Sequence, residues 1–189
     1  MVWPFKRKET TALGKLSGGE WRCSGCDQIH TGMFDLAAFA PDPWPHPDEY
    51  EPNSSVRLTG DFLSEDFCVI GGEHFFVRCV LKVPVHGLTN KFGYGCWGSL
   101  KRENFELYLK HFDDGSLPDG APFWSWLCNR IKPFEVSEPL GCLMYPQLDR
   151  QRPVLMVEHA EHPVAIAQDA GISPEALFQI YAANGHDIA

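Results

Sequence analysis

Strand patterns and helix patterns fall in separate blocks along this chain rather than in strict alternation. That predicts an α+β fold: an antiparallel sheet built from hairpins, with three or four helices packed on it. Two hairpin-like stretches and two well-marked helix starts carry the expectation. With 189 residues, 44% of them apolar and 13% aromatic, the chain can bury one core of ordinary size, assigned to residues 21–189.

Residues 1–20 contain Gly14, Ser17, Gly18 and Gly19 with little apolar pattern, and read as a flexible basic tail. Residues 21–52 are expected to form a sub-lobe. It opens with Cys23-Ser-Gly-Cys26-Asp-Gln-Ile-His30 and ends in a stretch from Pro41 to Pro52. Five prolines in those last twelve residues forbid regular hydrogen bonding and give a stiff surface loop. Phe67 to Ile70, a two-residue glycine turn at Gly71-Gly72, and Glu73 to Val83 give the best hairpin signal. On its second arm Phe75, Val77, Cys79, Leu81 and Val83 share the buried face, while Arg78 and Lys82 share the wetter one.

A third strand over Phe92 to Trp97 places Phe92, Tyr94 and Cys96 on one side and Trp97 on the other. Ser99 is expected to cap a helix reaching about Phe112, striped by Phe105, Tyr108, Leu109 and Phe112. Pro122 to Ile131 reads as a short buried helix stopped by Pro133. Leu140 to Leu148 and Pro153 to Glu158 make a second hairpin across a polar loop. His162-Pro163 and Ser173-Pro174-Glu175 both have the form of helix starts, and Gly185 closes the last helix.

The net charge is −9 and unevenly placed: residues 1–22 hold five basic and two acidic side chains, the remainder 11 basic and 23 acidic. An acidic body disfavours nucleic acid, which needs cationic surface, and suits a basic protein partner. No apolar run approaches the roughly 20 residues that span a bilayer, and eight residues around Trp3 and Phe5 are too few for stable membrane insertion. The opening residues lack the apolar region of a secretory signal, and seven cysteines without a framework read as reduced thiols, so a cytoplasmic setting is expected.

Cys23, Cys26 and His30 are the candidate metal ligands, since a Cys-x-x-Cys knuckle presents two soft ligands to one zinc ion and the histidine adds a third. The set is one ligand short; Asp27, His46, Cys68 and His74 are the candidates for the fourth. The competing reading is a turn where two cysteines lie close and His30 stays on the surface. A redox knuckle of the thioredoxin type would need a preceding strand and a following helix, which the pattern lacks.

Gly93-Tyr-Gly95-Cys-Trp-Gly98 matches a dinucleotide fingerprint by letter, but no strong apolar strand ends at Gly93 and Trp97 crowds the position of the pyrophosphate. The glycines read instead as relief on a crowded strand face across which Trp97 lies. Glu73-His74 and Glu158-His159-Ala-Glu-His162 pair carboxylates with imidazoles, and would form an acid/base or metal cluster if the two hairpins were neighbours. Cys79, Cys96 and Cys128 fall in apolar settings that disfavour a thiolate.

Several of these stretches, taken together, resemble an uncharacterised bacterial family known as domain of unknown function 2199. They are the Cys-x-x-Cys-x-x-x-His segment, Phe67-Cys-Val-Ile with Glu73-His-Phe-Phe-Val-Arg78, Phe92-Gly-Tyr-Gly-Cys-Trp-Gly-Ser-Leu100 with Glu103-Asn-Phe105, Arg152-Pro-Val-Leu, and His162-Pro-Val-Ala. The likeness covers roughly residues 21–185 and implies a bacterial, cytosolic, single-domain protein. It implies no activity.

The expectation is therefore a non-enzymatic domain of adaptor or antidote type. It would bind a basic protein through an aromatic rim at Trp44, Trp97 and Trp124, with zinc as a structural ion. The rival class is a metal-dependent or acid/base hydrolase using His74, His159 and His162 with Glu73 or Glu158.

Overall fold

The computed structural model describes residues 11–134 and 139–188. In chain order its elements are α1 (Ala12–Leu16), β1 (Glu20–Arg22), β2 (Ile29–Thr31), β3 (Leu36–Ala37), β4 (Phe62–Leu63), β5 (Phe67–Ile70), β6 (His74–Val83), β7 (Phe92–Leu100), α2 (Arg102–Asp114), β8 (Phe123–Leu127), β9 (Leu140–Tyr145), β10 (Val154–Val157), α3 (Pro163–Ala170) and α4 (Pro174–Ala183). The fold is α+β, but its core is a closed barrel of five strands rather than an open hairpin sheet. Strands β6 to β10 pair consecutively and antiparallel, and β10 returns to β6 in parallel. An odd number of strands running alternately up and down ends pointing the way it began, so the closing pair has to be parallel.

The two long strands serve two sheets. The first half of β6 pairs with β5, and Val80 farther along it meets Val154 of β10. Likewise β7 pairs with β3 at Tyr94 and Gly95, then with β8 at Gly98. The narrow barrel interior needs small side chains at one level. Cys79, Cys96, Gly98, Ser125 and Cys142 supply them, and a Cβ on Gly98 would stand 2.6 Å from Ser125 Oγ. Because β10 meets β6 at a single register position, α3 completes the seam. Gln168, 6% exposed, donates Nε2 to Leu155 O at 2.8 Å, and its Oε1 accepts from Val157 N at 3.0 Å.

The β5–β6 hairpin forms as expected, with both glycines at positive φ, although Glu73 joins the turn so that Ile70 faces His74. The face carrying Phe75, Val77, Cys79, Leu81 and Val83 enters the main core. The opposite face is less wet than its charges suggest: Arg78 is buried, held by Tyr50 Oη, Ala38 O and Glu65 O.

Ser99 does not cap a helix. Strand β7 runs on to Leu100, Ser99 Oγ accepts from Trp126 N, and α2 begins after Lys101. Residues expected as a buried helix from Pro122 form β8 instead. Phe123, Ser125 and Leu127 point in while Trp124 and Trp126 point out, because pairing with β9 imposes a period of two on a run that is apolar at all but one position. The expected hairpin of β9 and β10 and both late helix starts are present.

The tail expected over residues 1–20 lies partly outside the described residues; within them, α1 forms and buries Leu16 in the main core. The expected sub-lobe at 21–52 divides: Trp21 and Cys23 join the main core, whereas Phe39, Trp44 and Tyr50 pack on a second cluster around Trp97.

The glycine fingerprint lies wholly inside β7, with no strand-to-helix turn for a pyrophosphate. The glycines there make room for β3 rather than for Trp97: Cβ atoms on Gly93 and Gly95 would stand 2.7 Å from Asp35 Oδ2 and 2.8 Å from Ala37 Cβ.

Candidate metal centre

The short β1–β2 ribbon sets Trp21 opposite His30 and carries Cys23 just beyond its end. Cys23 N bonds Gln28 O, closing the knuckle, and Asp27 takes a positive φ of 56° inside it. The Cys26 amide donates to Cys23 Sγ at 3.4 Å. These bonds fold both thiols and the His30 imidazole inward.

The fourth candidate ligand comes from far along the chain. His186 follows α4, and its amide is held by Tyr181 O at 2.8 Å. Cys23 Sγ is 3.9 Å from His186 Nδ1, Cys26 Sγ is 3.3 Å from His30 Nε2, and one atom of each of the four side chains lies within 4.8 Å of the others. Tetrahedral bonds of about 2.0–2.3 Å put neighbouring ligand atoms about 3.3–3.8 Å apart, so the group is nearly of the right size to hold a metal ion.

Hydrogen bonds and close packing also join the two chain ends beside the ligand group. Ser24 N bonds Asp187 O, Cys23 bridges Ile188, and Gly25 lies so close to the turn after α4 that a Cβ there would stand 1.8 Å from Gly185 O. His30 stacks on Phe34 with ring centroids 4.5 Å apart. Phe34 in turn stacks on Tyr181 at 4.4 Å, and Tyr181 Oη donates to Phe34 O. Burial pushes the Cys23 thiol up, but hydrogen bonds from Cys26 and Gly25 outweigh it and leave its pKa below the ordinary value. Burial, and then the neighbouring His186 ring, push the His30 imidazole down. Thiolate and neutral imidazole are the forms a metal takes.

None of the expected fourth ligands reaches the site. Asp27 pairs with Arg22, His46 with Asp61, Cys68 is buried in the second cluster, and His74 is exposed at the start of β6. His186 stands alone after a helix end, with no ligand spacing around it, so no local signal marked it.

The histidine and carboxylate candidates are not brought together. His74 lines a cleft of about 750 Å³ with Phe76, Ser99 and Trp126, away from Glu158, His159 and His162. His162 Nδ1 instead accepts from Val164 N and caps α3. Among the described residues, Cys23, Cys26, His30 and His186 form the one such group of metal-ligating side chains.

The aromatic candidates also separate. Trp97 is fully buried, Trp44 packs half-buried on the second cluster, and Trp124 is 50% exposed. Trp126 (45%) and Tyr145 (39%), which the sequence reading passed over, stand on the same outer face. There the pairing sets Trp126 beside Gly141, Trp124 beside Leu143 and Met156, and Tyr145 beside Val154. Trp124 leans over Gly141, where a Cβ would stand 2.7 Å from its ring. Glu158 borders these positions at one corner, and Glu73 and Lys101 share a cleft with Trp124 and Trp126. No helix among the described residues is long and apolar enough to cross a membrane.

Residues 22–172 match a family described as an uncharacterized protein conserved in bacteria (DUF2199). The match takes in Cys23, Cys26, His30 and the barrel and stops short of His186. No curated protein and no solved structure matches the chain.

Proposed function

The chain belongs to the DUF2199 family of uncharacterized bacterial proteins, and from that premise we propose that it is a zinc-clamped protein-binding domain rather than a catalyst. The observation that carries this reading is the make-up of the metal group. Two thiolates and two imidazoles are the donor set of a structural zinc site, and four of them complete a tetrahedron, with no open position for a water or substrate. Catalytic zinc keeps three protein ligands and an open fourth position.

The binding role rests on the bare outer face of β8, β9 and β10. Two indoles and a phenol at 39–50% exposure, backed by Leu143, Val154 and Met156, are the composition of an interface centre. The occupant is a basic protein: beyond residue 22 the chain carries 23 acidic against 11 basic side chains, so its field favours a cationic partner.

Metal analysis tests the first half. One equivalent of zinc is expected in the purified chain and none in Cys23→Ser, while an iron or an empty site in freshly purified protein sinks it. The second half is tested with the basic products of genes adjacent to this one, titrated against tryptophan fluorescence. Binding weakened at least tenfold by Trp124→Ala with Trp126→Ala supports it. Unchanged affinity in the double variant, or no complex with any of them, overturns it.

A further inference from the structure

We propose that Cys23 and Cys26 form a peroxide-sensitive pair, whose oxidation to a disulfide expels the zinc and unties the two ends of the chain. The inference rests on the zinc reading and adds a regulatory role to that site. Three observations carry it.

The two thiols sit three residues apart in one turn, and their sulfurs belong to a group of ligand atoms within 4.8 Å of one another. Cys23 is completely buried while Cys26, His30 and His186 are half-exposed, so the site opens to solvent on the Cys26 side. The four ligands also come from opposite ends of the chain, three from residues 23–30 and one from residue 186. A change at the sulfurs therefore alters the tie between the ribbon and the segment after α4.

The remaining cysteines make the pair selective. Cys68, Cys79, Cys96 and Cys142 are fully buried. Burial also pushes their thiols up, and it raises the half-exposed Cys128 to about 11. Thiols raised in this way stay protonated near neutrality, and it is the thiolate that attacks peroxide. Zinc-bound sulfur keeps thiolate character at the knuckle.

The oxidant is hydrogen peroxide. The Cys26 thiolate attacks one peroxide oxygen, the O–O bond breaks, and a sulfenic acid and a hydroxide form. The Cys23 thiolate then attacks the Cys26 sulfur, forming the S–S bond and expelling a second hydroxide. Two electrons pass from the sulfur pair to the peroxide, the two hydroxides released are neutralised by protons from the buffer, and zinc leaves unchanged as the divalent ion. Two imidazoles remain, too few to retain it.

The test uses the full chain with zinc content measured first, so that a chain without zinc fails the earlier reading and not this one. On treatment with stoichiometric peroxide, released zinc is followed with a colorimetric chelator and cysteine states by alkylation and peptide mass spectrometry. Expected are one zinc released per Cys23–Cys26 disulfide, loss of those two thiols at least tenfold faster than the other five, and full recovery with dithiothreitol and added zinc. The variant His186→Ala keeps both thiols and is expected to form the same disulfide, which preserves the test if the Cys23→Ser chain fails to fold. Zinc retained after the peroxide is consumed, oxidation falling first on Cys128, or loss of zinc with irreversible sulfinic acids at the knuckle would each overturn the proposal.

Discussion

The barrel and the metal ribbon are held together by opposite means. Around the barrel, Phe62, Phe67, Phe105 and Leu155 belong to one continuous core of fully or nearly fully buried side chains, and α2 adds a cluster of edge-to-face rings around Phe67. The ribbon has three-residue strands, one large fully enclosed side chain in Trp21, and four polar ligands turned toward one point. Burial holds the first region, while the second buries less and, on the reading proposed above, adds coordination to it. The difference separates the four wholly buried thiols of Cys68, Cys79, Cys96 and Cys142 from Cys23 and Cys26 at the ligand group.

The sharpest way to break the contrast is to strip the metal. Structural zinc is worth about 10–16 kcal/mol in peptides that have little else to hold them. With a chelator, or in His186→Ala, hydrogen exchange is expected to show residues 20–31 and 186–188 losing protection while barrel amides keep theirs. Barrel amides exchanging at the same rate would mean that the two regions are one cooperative unit.

The reverse experiment attacks the core. Phe105→Ala removes a completely buried ring and is expected to cost about 3–5 kcal/mol in denaturant unfolding, with zinc content unchanged. A smaller loss, about 1–3 kcal/mol, is expected for Gln168→Leu, which leaves Val157 N and Leu155 O without partners at the barrel seam. A neutral result there would show that the seam closes without α3.

The smallest effect concerns pH. Gly71 N donates to Asp61, and this bond, together with His46, holds the Asp61 carboxyl below its ordinary value. A lowered folded value makes the contribution complete above about pH 4 and lost as pH falls through the folded pKa. Wild type and Asp61→Asn are therefore expected to differ in thermal midpoint at pH 6 and to draw together as pH falls below about 4. A constant difference across that range would assign the effect to something other than ionisation.

Local pattern made some of these features legible. The glycine pair with apolar runs on either side announced β5 and β6, and proline after Ser173 and His162 announced two helix starts. The Cys-x-x-Cys spacing with His30 marked three of the four ligands. Other features misled because the same letters fit two structures. Phe123 to Leu127 is apolar at every position but one, so neither period is visible until β9 lies alongside. Trp97 and Trp124 look alike in sequence, yet one is sealed under the segment around Tyr50 and the other faces outward.

By itself the sequence determined what neighbouring residues can decide: turns, caps, the alternation along β6, and a metal knuckle lacking one ligand. Tertiary structure alone decided the parallel closure of the barrel, the burial of Arg78 and Trp97, and the arrival of His186 beside Cys23 across 163 residues. The reason is the range of the forces. Dihedral preference and side-chain periodicity act over a few residues, whereas which surfaces meet depends on the packing of the whole chain at once.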